Sequence, residues 1–157
     1  TKTMLKKIFI LTLFVILTSC GYKAIHSKKS FANYEFSIQE LSFVGDREVN
    51  LKIKEILNNY TLSEKNKDFV LKISSNVKKV TLAKNIAGDP TTFKSTIIIN
   101  VEALLENNYR NKIKIVENFT YSNIDNKFDL KRYEKEIKSN LAETATEKLI
   151  FKLSNIK

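Results

Sequence analysis

The sequence predicts a two-layer α+β domain, in which a four-stranded, largely antiparallel sheet is covered by two helices in the order β-α-β-β-β-α. Three observations lead there. Residues 93–105 alternate without a fault: Phe93, Ser95, Ile97, Ile99, Val101, Ala103 and Leu105 face one way, and Lys94, Thr96, Ile98, Asn100 and Glu102 the other. Two further alternating runs adjoin this one through short polar breaks, which is the pattern of an antiparallel meander. Two stretches with helical spacing, near residues 47–60 and 129–153, each carry a single apolar stripe and so pack on one side.

The first strand is expected over residues 34–44. Tyr34, Phe36 and Ile38 point one way, with Glu35, Ser37 and Gln39 opposite, before the phase blurs through Leu41, Phe43 and Val44. Gly45-Asp46 ends it as a turn, with Asp46 placed to cap the following helix. In that helix Val49, Ile53, Ile56, Leu57 and Tyr60 share a stripe, while Arg47, Lys52, Glu55 and Asn58 face water. After a polar break at residues 63–67, Phe69, Leu71 and Ile73 alternate with Val70, Lys72 and Ser74. Val77 keeps the first phase, but Val80 and Leu82 fall in the other. Either a bulge near Lys78-Lys79 or a strand that outgrows its sheet accounts for the slip.

Residues 83–92 contain the only Gly-Asp-Pro cluster and form a hairpin loop. Glu106-Asn107-Asn108 turns the chain again into residues 112–122, where Ile113, Ile115, Glu117, Phe119 and Tyr121 oppose Lys114, Val116, Asn118 and Thr120. In the closing helix Leu130, Tyr133, Ile137, Leu141, Ala145, Leu149 and Leu153 make the apolar stripe, and Lys131, Lys135, Lys138 and Lys148 mark the wet side. At ~1.5 Å per residue it is ~36 Å long, enough to run the length of the sheet. The placement of the first strand, parallel or antiparallel, stays open at this level.

The N-terminal residues follow other rules. Lys6-Lys7 precede an apolar run at 8–17, about half of the ~20 residues a membrane-spanning helix needs. Small residues then lead to Cys20, the only cysteine. That order is a secretory signal peptide, expected to occupy residues 1–19 and to start at Met4. Leu17-Thr18-Ser19-Cys20 also resembles the bacterial lipobox, where the cysteine is acylated on sulfur and becomes the first residue after cleavage. Such a transfer needs a nucleophile, and the thiol is the strongest one available near neutral pH. The plainer alternatives are an ordinary signal peptide with an incidental cysteine, or an uncleaved anchor. Residues 20–33 read as a lipidated end and tether, and residues 34–157 as one domain.

The chain carries +10, and removal of Lys2, Lys6 and Lys7 with the signal leaves +7. Lysine outnumbers arginine 24 to 3, whereas nucleic-acid sites lean on arginine for bidentate contacts, so no nucleic acid is expected. A basic domain at a membrane suits a polyanion or an anionic lipid; a solvated lysine-rich surface is the alternative. Catalytic chemistry is not in evidence. His26, the only histidine, sits in the tether as a solvated side chain, and Cys20 is committed to lipid, so no nucleophile and base can pair. Clustered His and Cys for a metal are missing, as is a glycine-rich phosphate loop. No catalytic residue, metal or cofactor is expected.

The lipobox running into Cys20-Gly21-Tyr22-Lys23, the first strand leading through Gly45-Asp46-Arg47 into the helix at 49–60, the three-strand meander, and the closing helix at 133–153 with Lys148-Leu149 recur together in one family. On these features residues 20–157 resemble the lipopolysaccharide-assembly lipoprotein LptE, in its short alphaproteobacterial form. The resemblance implies an outer-membrane lipoprotein facing the periplasm. It also implies a seat inside the lumen of a β-barrel of the LptD type, as plug and assembly aid, with contact to lipopolysaccharide. Gly21 after the lipidated cysteine fits outer-membrane sorting. For the ligand, Lys78, Lys79, Lys84 and Lys94 near the long hairpin are the expected contacts, meeting phosphates as point charges. Ile98, Leu104 and Val116 lie opposite the core phase; either a barrel interior receives that face, or helices already cover it. The runner-up is a lipoprotein scaffold of another outer-membrane machine that binds no lipopolysaccharide, and a lipid-anchored hydrolase using two carboxylates is the third reading.

Overall fold

The structure, a computed structural model, describes residues 36–61, 67–105 and 110–156. The expected signal peptide, Cys20, the expected tether, Tyr34 and the expected turn at 106–108 lie outside them. The elements are β1 (Ser37–Gly45), α1 (Arg47–Leu57) with a 3-10 turn (Asn58–Tyr60), β2 (Asp68–Lys84), β3 (Pro90–Leu105), β4 (Arg110–Ser122) and α2 (Lys127–Ser154). This is the expected order. The four strands form one sheet in the order β1-β2-β3-β4. β2, β3 and β4 pair antiparallel, and β1 pairs parallel with β2. The parallel pairing follows from the connection, because a helix between two strands carries the chain back to the end where it began.

A bulge explains the blurred phase of β1. Ile38 pairs with Phe69 and Glu40 with Val70, so Gln39 is left over. One extra residue moves the inward positions from even to odd numbers. Phe36 and Ile38 are therefore buried before it, and Leu41 and Phe43 pack against the core after it. β2 behaves differently from one of the two expectations. Its register with β3 runs unbroken from Phe69 to Thr81, so no bulge lies at Lys78-Lys79; irregularities come only between Thr81 and Lys84. The strand outgrows the helix-covered part of the sheet, and Val80 and Leu82 are exposed. The hairpin loop is shorter than expected, closed by Asn85 N–H donating to Asp89 O (2.9 Å) and Asp89 N–H to Asn85 Oδ1 (2.8 Å).

The core fills the space between the sheet and the helices. α1 contributes Val49, Ile53 and Leu57, and the sheet contributes Leu71, Ile73, Ile97, Ile99 and Val101. α2 buries Ala142, Thr146 and Ile150 as well as the predicted stripe from Ile137 to Leu153, because it packs against both α1 and the sheet. Phe36 stacks on Tyr60 (5.2 Å between centroids) and meets Phe69 edge-on (5.8 Å), closing the core where β1 begins. The helix starts are capped from the side chain. Asp46 Oδ1 accepts from Val49 N–H at 3.0 Å, and Asn126 Oδ1 accepts from Phe128 N–H at 2.9 Å. The second cap lets α2 start earlier than its stripe indicated; its 28 residues make it ~42 Å long.

Of the lysines expected on the wet side of α2, Lys148 is exposed and Lys138 is half-buried, and both have carboxylate partners on other elements. Lys138 Nζ donates to Glu48 at 2.8 Å and lies 3.5 Å from Asp46, tying α2 to the start of α1. Lys148 pairs with Glu117, a carboxylate on the inward phase of β4 whose side chain is only 14% exposed. The hydrogen bond and charge of Lys138 lower the Glu48 pKa. Burial pulls the Lys138 pKa down, but the bond to Glu48 and the charges of Asp46 and Glu48 outweigh it, so the net shift is upward. A carboxylate with a lowered folded-state pKa stabilises the fold above its unfolded value, and that contribution is lost as pH falls through the folded value. Lys138→Gln should therefore lower stability at neutral pH by about 1 kcal/mol, as expected of partly exposed pairs. The deficit should shrink toward acid pH. Urea melts of both proteins at neutral and acid pH check this, and a deficit that does not change with pH would refute the assignment.

Candidate functional site: the uncovered face of the sheet

Alternation decides which side chains meet the helices. Both helices pack on the face that holds Leu71, Ile73, Ile99 and Val101. The opposite phase forms a second face, and among the described residues nothing covers it. Of the described residues on it only Ser37, at its edge, is buried. The register sets its side chains in cross-strand rungs. Ser42, Lys72, Glu102 and Lys112 make one rung, and Val44, Ser74, Asn100 and Lys114 make the next. Asn76, Ile98 and Val116 follow toward the hairpin, and Glu40, Val70, Leu104 and Arg110 lie on the other side. The two middle rungs line a shallow depression of about 460 Å³.

The charges on this face are unbalanced and free. Lys72, Lys78, Lys94, Arg110, Lys112 and Lys114 stand against Glu40, Asp68 and Glu102. Among the described residues none of these nine forms an ion pair within 4.0 Å, including Lys72 and Lys112 on either side of Glu102. At the seam between helices and sheet the opposite holds. There Lys52 approaches Glu55 and Glu143, and Lys79, Lys138 and Lys148 all have carboxylate partners. Val44 (71% exposed) and Val116 (46%) add apolar surface, with Ile98 and Leu104 half-buried beside them.

The four hairpin lysines do not form one cluster. Lys78 and Lys94 share the uncovered face as diagonal neighbours, since Lys78 pairs with Thr96 and Val80 with Lys94. Lys79 must point the other way, because successive residues of a strand face opposite sides. Its ammonium lies 4.0 Å above the Phe93 ring and bonds to Glu134 of α2. Glu134 also accepts from the Tyr121 hydroxyl at 2.9 Å. Burial, and then that carboxylate, push the Tyr121 pKa well above its ordinary value. Lys84 sits exposed at the irregular end of β2, opposite Pro90. Lys72, Arg110, Lys112 and Lys114 were not among the expected contacts. Their non-core phase is visible in the sequence, but their neighbours across the sheet are set by register alone.

Among the described residues no three His, Cys, Asp or Glu side chains gather as metal ligands, and no helix is long and apolar enough to cross a membrane. No protein-family model matches the sequence, and no curated protein matches it. Solved structures do. The rare lipoprotein B of Shewanella oneidensis superposes with a TM-score of 0.55 at 16% identity, over 74% of this chain and 97% of that one. A minor lipoprotein from Acinetobacter baumannii gives 0.57 at 11% identity, over 77% and 91%. A putative lipoprotein from Caulobacter crescentus gives 0.51 at 14% identity, over 73% and 87%. At these identities the likeness is one of fold, which the chain shares with structures of bacterial lipoproteins.

Proposed function

We propose that the protein is a non-enzymatic outer-membrane lipoprotein, anchored through Cys20, that acts as plug and assembly subunit of the lipopolysaccharide translocon. In this reading it sits inside a β-barrel partner of the LptD type and contacts lipopolysaccharide. The observation that carries the reading is a sheet with one face sealed by helices and the other left open, basic and partly apolar. A domain built to work alone has little reason to leave such a surface in water. The shared lipoprotein fold and the lipobox ahead of the domain support the same conclusion. Of the four hairpin lysines, Lys78, Lys84 and Lys94 have free ammonium groups for lipid phosphates. Lys79 is held by Glu134, so its part is to steady the hairpin stem.

Two measurements test this. A detergent pull-down of the tagged, lipidated protein from its native envelope should retain a stoichiometric LptD-type barrel. Recovery with a different outer-membrane machine would favour a scaffold role without lipopolysaccharide. For the ligand, the double variant Lys78→Glu/Lys94→Glu should weaken lipopolysaccharide binding by about tenfold, the loss of roughly 1.4 kcal/mol. Undiminished binding would remove the hairpin from the contact.

A further inference from the structure

The uncovered face has a charge pattern that says what kind of surface fits it. Along β2 it runs from Val70 to Val80, a length of ~33 Å at ~3.3 Å per residue, and four strands at ~4.8 Å spacing make it ~15 Å wide. That footprint, on the order of 500 Å² before side-chain relief, approaches the ~800 Å² that each partner gives to a standard protein interface. The cations are spread over it. Lys72 lies ~20 Å along the strand from Lys78, six residues at ~3.3 Å each. Between the cationic rungs sit Ile98 and Val116, and Glu102 stands unpaired between Lys72 and Lys112. A single phosphate group would be met by few of these cations and opposed by Glu102, whereas a protein surface can present carboxylates, apolar side chains and a cation at the required places. A second copy of the chain is disfavoured by its own charge, because stacking the two faces would set six cations against six.

We propose that this face docks against a carboxylate-rich wall of a protein partner. Asp or Glu side chains enter the depression between Lys72, Lys112 and Lys114, apolar side chains cover Ile98 and Val116, and a cation meets Glu102. The inference deepens the plug reading and rests on it, the wall being that of the barrel lumen. It assigns to the partner an acidic strip about as long as the face.

The test uses the full-length lipidated protein in its native envelope. A photo-reactive phenylalanine is placed at Val116 on the uncovered face, or at Leu51, an exposed position on α1. In parallel, the variant Lys72→Glu/Lys112→Glu/Lys114→Glu is compared with Lys72→Arg/Lys112→Arg/Lys114→Arg. All three lysines are exposed, and circular dichroism verifies that each variant is folded. Val116 should give an adduct on an Asp- or Glu-rich peptide of the barrel, and Leu51 none. The Glu variant should lose barrel retention at least tenfold, and the Arg variant should keep it. If the wild type retains no barrel under any condition, the plug reading fails and the inference with it. If it retains one but the Glu variant does so equally, or the adduct peptide is not acidic, the inference fails and the plug reading stands. An adduct from Val116 to lipopolysaccharide rather than to protein also overturns the inference, in favour of an anionic-lipid surface.

Discussion

Gly45→Ala should destabilise the domain by on the order of 4 kcal/mol, at the extreme end of single-substitution effects. Gly45 closes β1 with φ +105, a conformation costly for a residue with a side chain. The greater cost is steric. A Cβ there would lie 1.9 Å from the carbonyl oxygen of Ser75 and 2.9 Å from its carbonyl carbon, both backbone atoms of the neighbouring strand. Relief requires β1 to move off β2, and that endangers the local bonds. Asp46 N–H donates to the same Ser75 oxygen at 3.3 Å, and Ser75 Oγ bonds to Asn50 at 2.7 Å. Gly88→Ala is the matched control. Its φ is +89 but nothing lies within 4 Å of the added carbon, so only conformational strain of about 1 kcal/mol is expected. Urea denaturation of both variants measures the difference, and equal losses would show that close approach at Ser75 is not the cause.

Leu149→Ala should cost about 3 kcal/mol, the sum of lost burial and a residual cavity. Leu149 is 1% exposed and sits in the broad buried band of α2, between Ala145 and Leu153. Small residues at Ala142 and Ala145 already bring the helix close to its neighbours, so the framework has little room to collapse around the void. The urea midpoint should fall with the slope unchanged, because the surface exposed on unfolding hardly differs. Phe151→Ser two residues away removes a larger side chain that is 63% exposed, and should change stability by less than about 0.5 kcal/mol. A loss at Phe151 as large as that at Leu149 would mean that α2 is rotated from the orientation described.

These effects bear on how far the sequence could be read. Every strand and helix was legible from its period, and so was the cap at Asp46, because period and capping depend on residues close together in the chain. Features that depend on a partner strand were not. The bulge at Gln39 leaves no compositional trace, only a blurred phase. The wet side of α2, drawn from lysine identity, holds at the exposed Lys148 and fails at Lys138, which carboxylates at the start of α1 draw inward. The hairpin lysines were grouped by closeness in sequence, yet adjacent strand residues part to opposite faces, and so Lys79 left the group. Lys72, Lys112 and Lys114 come together only through the pairing of β2, β3 and β4. Even the parallel seat of β1 needed the sheet order, which no single segment encodes.

That sheet order also bears on how the chain reaches its native state. Strand order in space equals strand order in sequence, so each strand finds its partner in the next one along. The two antiparallel joins are hairpins with short loops, the kind of contact that costs least entropy to close. The β2–β3 ribbon can therefore zip from the Asn85–Asp89 loop outward, with β4 added as the next local step. β1 and α2 join by contacts that no hairpin zips, Ser37 with Asp68 and Lys67 with the carbonyl of Ile156 among them. A chain with a single cysteine has no internal disulfide to hold it. A nucleus made of neighbours lets it assemble without one.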